Sequence, residues 1–200
     1  MSVLSHKRRS LLALPAAAAA LSLLAACGKK EVSFIGSDIS GTKLGQDMAM
    51  QDASGKLRTL ADYKGKVAVV FFGYTQCPDV CPTSMAALAE AMELLGKDAG
   101  KVQVVMISVD PERDTPEVLS AYVQAFNPAF VGLTGTPEQL SKTAKSFKAY
   151  YAKSPGAKPD QYSMDHASSF YIIDKDGEAR VLVNGSASPQ DIAADIKQLL

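Results

Sequence analysis

Three side chains in this sequence have the chemistry to hold a soft metal ion or to exchange electrons: Cys77, Cys81 and His166. The whole chain carries only three cysteines and two histidines. Cys77 and Cys81 stand four positions apart in Phe71-Phe72-Gly73-Tyr74-Thr75-Gln76-Cys77-Pro78-Asp79-Val80-Cys81-Pro82. Thiolates attack disulfides and bind metals. A pair at this spacing has three uses open to it: a disulfide, a redox couple or a metal site. As a structural staple it is weak, because the small loop it closes removes little entropy from the unfolded chain. Pro78 and Pro82 each fix their own φ and bias the cysteine before them toward extended backbone. Both thiols are therefore expected in a stiff loop feeding a helix N-terminus, where free N–H groups favour thiolate.

His166 lies in Ser163-Met164-Asp165-His166-Ala167-Ser168-Ser169. A loop histidine alone is most often a surface residue. Beside two thiolates it makes a soft S₂N donor set, which selects Cu(I) or zinc. Zinc ordinarily takes four ligands in a closed site. Only Asp79 or Asp165 can supply the fourth here, so copper is the better match. Asp165 has two other readings: it orients the imidazole, or it stays solvated. Met164 is read as packed or exposed rather than as a further soft ligand.

These groups need a scaffold, and the sequence describes one. Val67-Ala68-Val69-Val70-Phe71-Phe72 is a continuous apolar run, expected as a strand buried on both faces, with the cysteines just past its carboxyl end. Met48–Leu57 reads as a short hairpin turning at Ser54-Gly55. A helix is expected over Thr83–Leu95, closed by Gly96. Val102–Val109 and Phe130–Leu133 read as strands. Thr115-Pro116-Glu117 and Thr136-Pro137-Glu138 repeat one helix-start signal, for helices reaching about Phe126 and Tyr150. Residues 152–165 are expected as an exposed insertion. Phe170–Ile173 and Ala179–Val183 read as a hairpin turning at Asp176-Gly177. Ser188 opens a last helix with Asp191 in a capping-box-like position. This order implies an α/β class: a thioredoxin-like fold, a central mixed sheet with helices on both faces. In such a sheet the His166 loop approaches the cysteine loop.

The amino-terminal end has another character. Lys7, Arg8 and Arg9 precede an apolar run from Leu11 to Ala26. The run is too short to span a bilayer and matches a signal peptide over 1–26. It closes Leu24-Ala25-Ala26-Cys27, which resembles the lipobox of bacterial lipoproteins, so Cys27 is the expected lipidation site and 27–45 the anchor and tether. The domain is then expected over 46–200. Removing 1–26 takes three basic residues and no acidic ones, leaving 18 basic against 21 acidic. An exported chain sits where thiols can be oxidised. Over the full 200 residues, 47% hydrophobic and 21% charged content excludes a disordered chain, and zero net charge lacks the footprint of a nucleic-acid binder.

Taken together, the loop Phe71–Pro82, the stretch Ser108-Val109-Asp110-Pro111-Glu112-Arg113-Asp114-Thr115-Pro116, and Asp165-His166 ahead of a strand resemble the Sco (SenC) family over roughly residues 33–200. That family comprises copper chaperones of the bacterial envelope and the mitochondrial inner membrane that serve cytochrome c oxidase. The resemblance implies that Cys77, Cys81 and His166 bind copper, as Cu(I), Cu(II) or both. It implies help in building the dinuclear copper centre of oxidase subunit II, by copper delivery or by reduction of that subunit's cysteines. Other copper chaperones or thiol reductants of the envelope are implied partners. The Ser108–Pro116 stretch is expected to be structural. The place implied is the periplasmic face of a membrane, held by lipid.

Three rival readings use the same residues. A thiol–disulfide oxidoreductase with Cys77 and Cys81 as redox thiols fits the fold, but the spacing is Cys-x-x-x-Cys, tryptophan is absent, and no proline precedes Phe170. A thiol peroxidase fits less well, because Thr75 stands two residues before Cys77 rather than three. A copper-linked redox sensor would use an identical site.

Overall fold

The computed structural model describes residues 33–156 and 161–200. The expected signal peptide, 1–26, and the lipidation site Cys27 lie outside them. In chain order the elements are β1 (Ser37–Asp38), β2 (Met50–Gln51), β3 (Leu57–Arg58), β4 (Val67–Gly73), α1 (Val80–Leu95), β5 (Val102–Ser108), α2 (Pro116–Phe126), β6 (Val131–Leu133), α3 (Pro137–Phe147), β7 (Tyr151–Pro155), β8 (Tyr162–His166), β9 (Phe170–Ile173), β10 (Ala179–Val183) and α4 (Pro189–Lys197).

Six strands form one mixed sheet in the order β1-β10-β9-β4-β5-β6. β4 runs parallel to β5, and β5 to β6, while β9 pairs antiparallel with both β4 and β10. Every residue of β4 is buried. That is why its apolar run does not alternate: a strand covered on both faces has no solvent side to mark with polar residues. Phe72 meets Phe147 of α3 edge-on at 5.4 Å, while α1 and α4 pack together against the opposite face. The architecture is the expected thioredoxin-like one, with helices on both faces.

Helix starts follow their caps. Thr115 accepts from the Val118 N–H, Thr136 forms a capping box with Gln139, and Ser188 accepts from the Asp191 N–H, each ahead of a proline in the first turn. The expected hairpin ahead of β4 is the pair β2–β3.

Four expectations are corrected. Helix α1 begins at Val80 rather than Thr83, so Cys81 lies in its first turn and is not extended. Pro82 is tolerated there because the first N–H groups of a helix have no partner within it. Helix α3 ends at Phe147, three residues early, because Lys148 turns into the left-handed region at φ +54° and the Ala149 N–H closes onto the Ala144 carbonyl. The expected insertion over 152–165 is instead a paired hairpin, β7–β8, registered from Tyr151↔His166 to Pro155↔Tyr162 with Met164 buried. The tether does not extend to residue 45. Asp195 accepts from the Ile35 and Gly36 N–H groups at 2.7 and 2.8 Å, β1 pairs with β10, and Leu44 is buried. Irregular backbone held by one buried carboxylate leaves no periodicity to read.

Candidate metal centre

The cysteines stand where β4 hands the chain to α1. After Gly73 the chain turns, the Cys77 N–H donating to the Tyr74 carbonyl at 3.3 Å. Asp79, at the N-cap of α1, makes no side-chain cap bond. The Cys77 sulfur fills that role, accepting the Cys81 N–H at 3.4 Å. Burial pushes the Cys77 thiol up, but the backbone groups of Asp79, Cys81 and Val80 favour its thiolate more, so it sits below the ordinary thiol range.

Cys81 is different. It is fully buried, and that burial pushes its thiol well above the ordinary range, against the smaller opposing effect of Tyr74 backbone. The expectation that the helix terminus favours both thiolates therefore holds for Cys77 alone. Its sulfur is packed over Gly73: a Cβ on Gly73 would lie 2.9 Å from Cys81 Sγ and 2.8 Å from the Phe71 ring. Glycine is required here by close approach.

His166 ends β8 and faces this sulfur, Nε2 lying 3.3 Å from Cys81 Sγ. Its Nδ1 lies 3.0 Å from the Ala167 carbonyl. A carbonyl only accepts, so Nδ1 carries the proton and donates, and Nε2 presents its lone pair to the thiols. The orienting group is thus the Ala167 carbonyl and not Asp165, whose carboxylate accepts from Ser154 Oγ at 2.5 Å. The rings of Phe71 and Tyr74 meet the imidazole edge-on at 6.1 and 5.8 Å.

Cys77, Cys81 and His166 form the only such group among the described residues, with their ligand atoms all within 4.8 Å of one another. Neither Asp79 nor Asp165 joins it, so the fourth ligand that zinc ordinarily requires is absent among the described residues. Two sulfurs and one unprotonated imidazole nitrogen are a soft set that fits copper. Met164 packs in the core.

A second ring of residues holds the cysteine loop. Asp114 is fully buried and accepts from Thr75 Oγ1 and Ser108 Oγ, both at 2.6 Å, and from the Thr75 N–H at 3.2 Å. Burial raises its carboxyl above the usual range despite these donors. Arg113 donates to Asp110, to Gln76 and to the Tyr162 carbonyl. The Ser108–Pro116 stretch has the structural role expected of it, and what it supports is the cysteine loop. Residue types alone do not show this, because Thr75, Asp114 and Gly73 bear on the site through contacts and not through ligand chemistry.

The family model described as SCO1/SenC matches residues 37–200. The chain is similar to the solved structure of Bradyrhizobium japonicum ScoI with copper bound, at 40% identity and a TM-score of 0.70, over 83% of this chain and 99% of that one. It is 37% identical to the SCO2-like protein of Rickettsia felis over 78% of its own length and 76% of the relative's. BsSco, described as a Sco-family cytochrome c oxidase assembly protein with a disulfide switch, superposes with a TM-score of 0.63 at 26% identity, over 84% of this chain and 98% of that one.

Proposed function

This chain belongs to the SCO1/SenC family, and from that membership and the geometry of its three donors we propose that it carries copper to cytochrome c oxidase, for the dinuclear centre of subunit II. The observation that carries the proposal is the convergence of Cys77, Cys81 and His166, with the imidazole tautomer already suited to a metal. Copper is cargo in this reading. Cys77, half-buried and inclined to thiolate, is the first ligand offered. Cys81 gives up its proton as the ion arrives, and His166 closes the set from the other side. A site with three donors and an open side can pass its ion to a partner's thiols without first being dismantled.

The same pair can reduce the partner's cysteines. The Cys77 thiolate attacks one sulfur of the partner disulfide and releases the other as a thiolate. Cys81, giving up its proton, then attacks the Cys77 sulfur of the mixed disulfide and releases the second partner thiolate, so that two electrons pass to the partner and a Cys77–Cys81 disulfide is left on this chain. The lowered thiol at Cys77 favours this second activity alongside the first.

The chain is placed at the periplasmic face of a bacterial membrane, held by lipid on Cys27 after removal of residues 1–26. The short apolar run and the Leu24–Cys27 sequence support this. Cys27→Ser is expected to release the protein from the membrane fraction, and retention there would refute the lipid anchor.

Mixing the copper-loaded chain with an apo, reduced subunit II domain tests delivery. The visible bands of the dinuclear centre are expected to grow as this chain loses copper. If copper stays on this chain while free copper salt metallates subunit II, delivery is refuted.

A further inference from the structure

His166 reaches the cysteines from an element with little support of its own. Strands β7 and β8 form a separate two-stranded sheet, hydrogen-bonded to each other and not to the six-stranded sheet. A lone hairpin is at best marginally stable in water, so other contacts must fix where its end lies.

A guanidinium joins that hairpin to the cysteine loop, beside the Tyr74 ring that meets His166. Arg113 donates through Nη1 to Gln76 Oε1 at 3.1 Å and to the Tyr162 carbonyl at 3.2 Å. Gln76 precedes Cys77 in the chain, and Tyr162 begins the strand that ends at His166. The guanidinium carbon lies 3.7 Å from the Tyr162 ring centroid and 5.7 Å from that of Tyr74, whose ring meets His166. Through Nε the same guanidinium pairs with Asp110, and Tyr162 Oη donates to the other oxygen of that carboxylate at 2.9 Å. Its remaining nitrogen, Nη2, is buried without an acceptor among the described residues. A buried unpaired donor opposes folding, so the guanidinium is held there by its other contacts.

We propose that Arg113 is a positioning residue, whose guanidinium pins the hairpin bearing His166 to the loop bearing Cys77 and so sets the reach between imidazole and thiols. The inference rests on His166 being a copper ligand. Lysine cannot take its place: it keeps the charge and the Asp110 pair, but its ammonium lacks the planar fork that reaches Gln76 and Tyr162 at once.

The test is a double-mutant cycle on the full chain in detergent, with Cu(I) affinity read anaerobically against a chromophoric chelator. Arg113→Lys is expected to weaken Cu(I) binding about 10- to 100-fold, the range for losing a group that orients a ligand. In the His166→Ala background the same change is expected to cost less than about threefold, because its target is gone. In the metal-free chain, Arg113→Lys is expected to shift the His166 imidazole nitrogen resonances. Equal losses in both backgrounds, or no loss in either, would overturn the proposal. Should Arg113→Lys fail to fold, Gln76→Ala cuts only the tie to the cysteine loop, and the same background dependence is required of it. His166→Ala against the unaltered chain separates the two readings: equal affinity there refutes His166 as a ligand, whatever Arg113 does.

Discussion

The sulfur of Cys81 occupies the space that a side chain at Gly73 would need, since a Cβ there would lie 2.9 Å from it. The last residue of the central strand and the first turn of α1 are thus in contact through the sulfur itself. Gly73→Ala must push α1 or Met106 aside and is expected to cost about 1–3 kcal/mol of stability. It is also expected to weaken copper binding, because the atom displaced is one of the proposed copper ligands. Gly132→Ala is the control. The three atoms nearest its Cβ would all belong to Leu119, the first at 2.6 Å, and none to a cysteine, so stability should fall while copper affinity holds. Chemical denaturation and copper competition on both variants check this.

The two thiols are expected to differ in reactivity. Cys77 is half-buried with its thiol lowered, while Cys81 is buried with its thiol raised. Iodoacetamide should alkylate Cys77 first, at a rate that rises with pH through a midpoint below that of an ordinary thiol. Peptide mapping over a pH series tests it, and initial labelling at Cys81 would contradict it.

Asp114→Asn should loosen the cysteine loop. The two hydroxyls sit on different carboxylate oxygens, so the amide keeps an acceptor for one and turns its NH₂ toward the other, Thr75 or Ser108. Leaving buried donors unpaired costs about 1–3 kcal/mol here. The Thr75 amide should exchange hydrogen faster in the variant, and unchanged exchange would count against the loop being held this way.

Asp52 supplies a pH-dependent part of stability away from the site. The Ser54 side-chain hydrogen bond, with Arg58 and nearby backbone, holds its carboxyl down at about 2 against an ordinary 3.8. A folded value below the unfolded one stabilises the fold above the unfolded value, and that contribution is lost as pH falls toward 2. Asp52→Asn should therefore cost about 1–2 kcal/mol near neutrality, and almost none near pH 2. A gap that stays constant with pH would contradict this.

Much of the fold was legible because its central strands β4 and β5 are largely apolar seven-residue runs and three of its helices open on Thr-Pro or Ser-Pro caps. Those signals are local. The misread parts depended on distant partners. Within Phe34–Gly45, Ile35 and Gly36 are held by Asp195, some 160 residues away in sequence, Ile39 by the Arg180 carbonyl and Gly45 by the Ser146 carbonyl. The polar β7–β8 hairpin docks through Arg113 and buried Met164. Pro82 reads as a helix breaker unless the first-turn exemption is seen to apply. The three candidate ligands were legible because no other cysteine or histidine stands among the described residues. The supporting residues Gly73, Thr75, Arg113 and Asp114 were not, because ordinary residue types gain their role only through contact.

The most direct measurement is an anaerobic Cu(I) titration of the reduced chain, followed by absorption and mass spectrometry. Cys77→Ser, Cys81→Ser and His166→Ala would be titrated alongside. One tightly held copper per chain is expected, with affinity lost in each variant while the fold survives. No tight copper on the unaltered chain, or full affinity in any of the three variants, would contradict this.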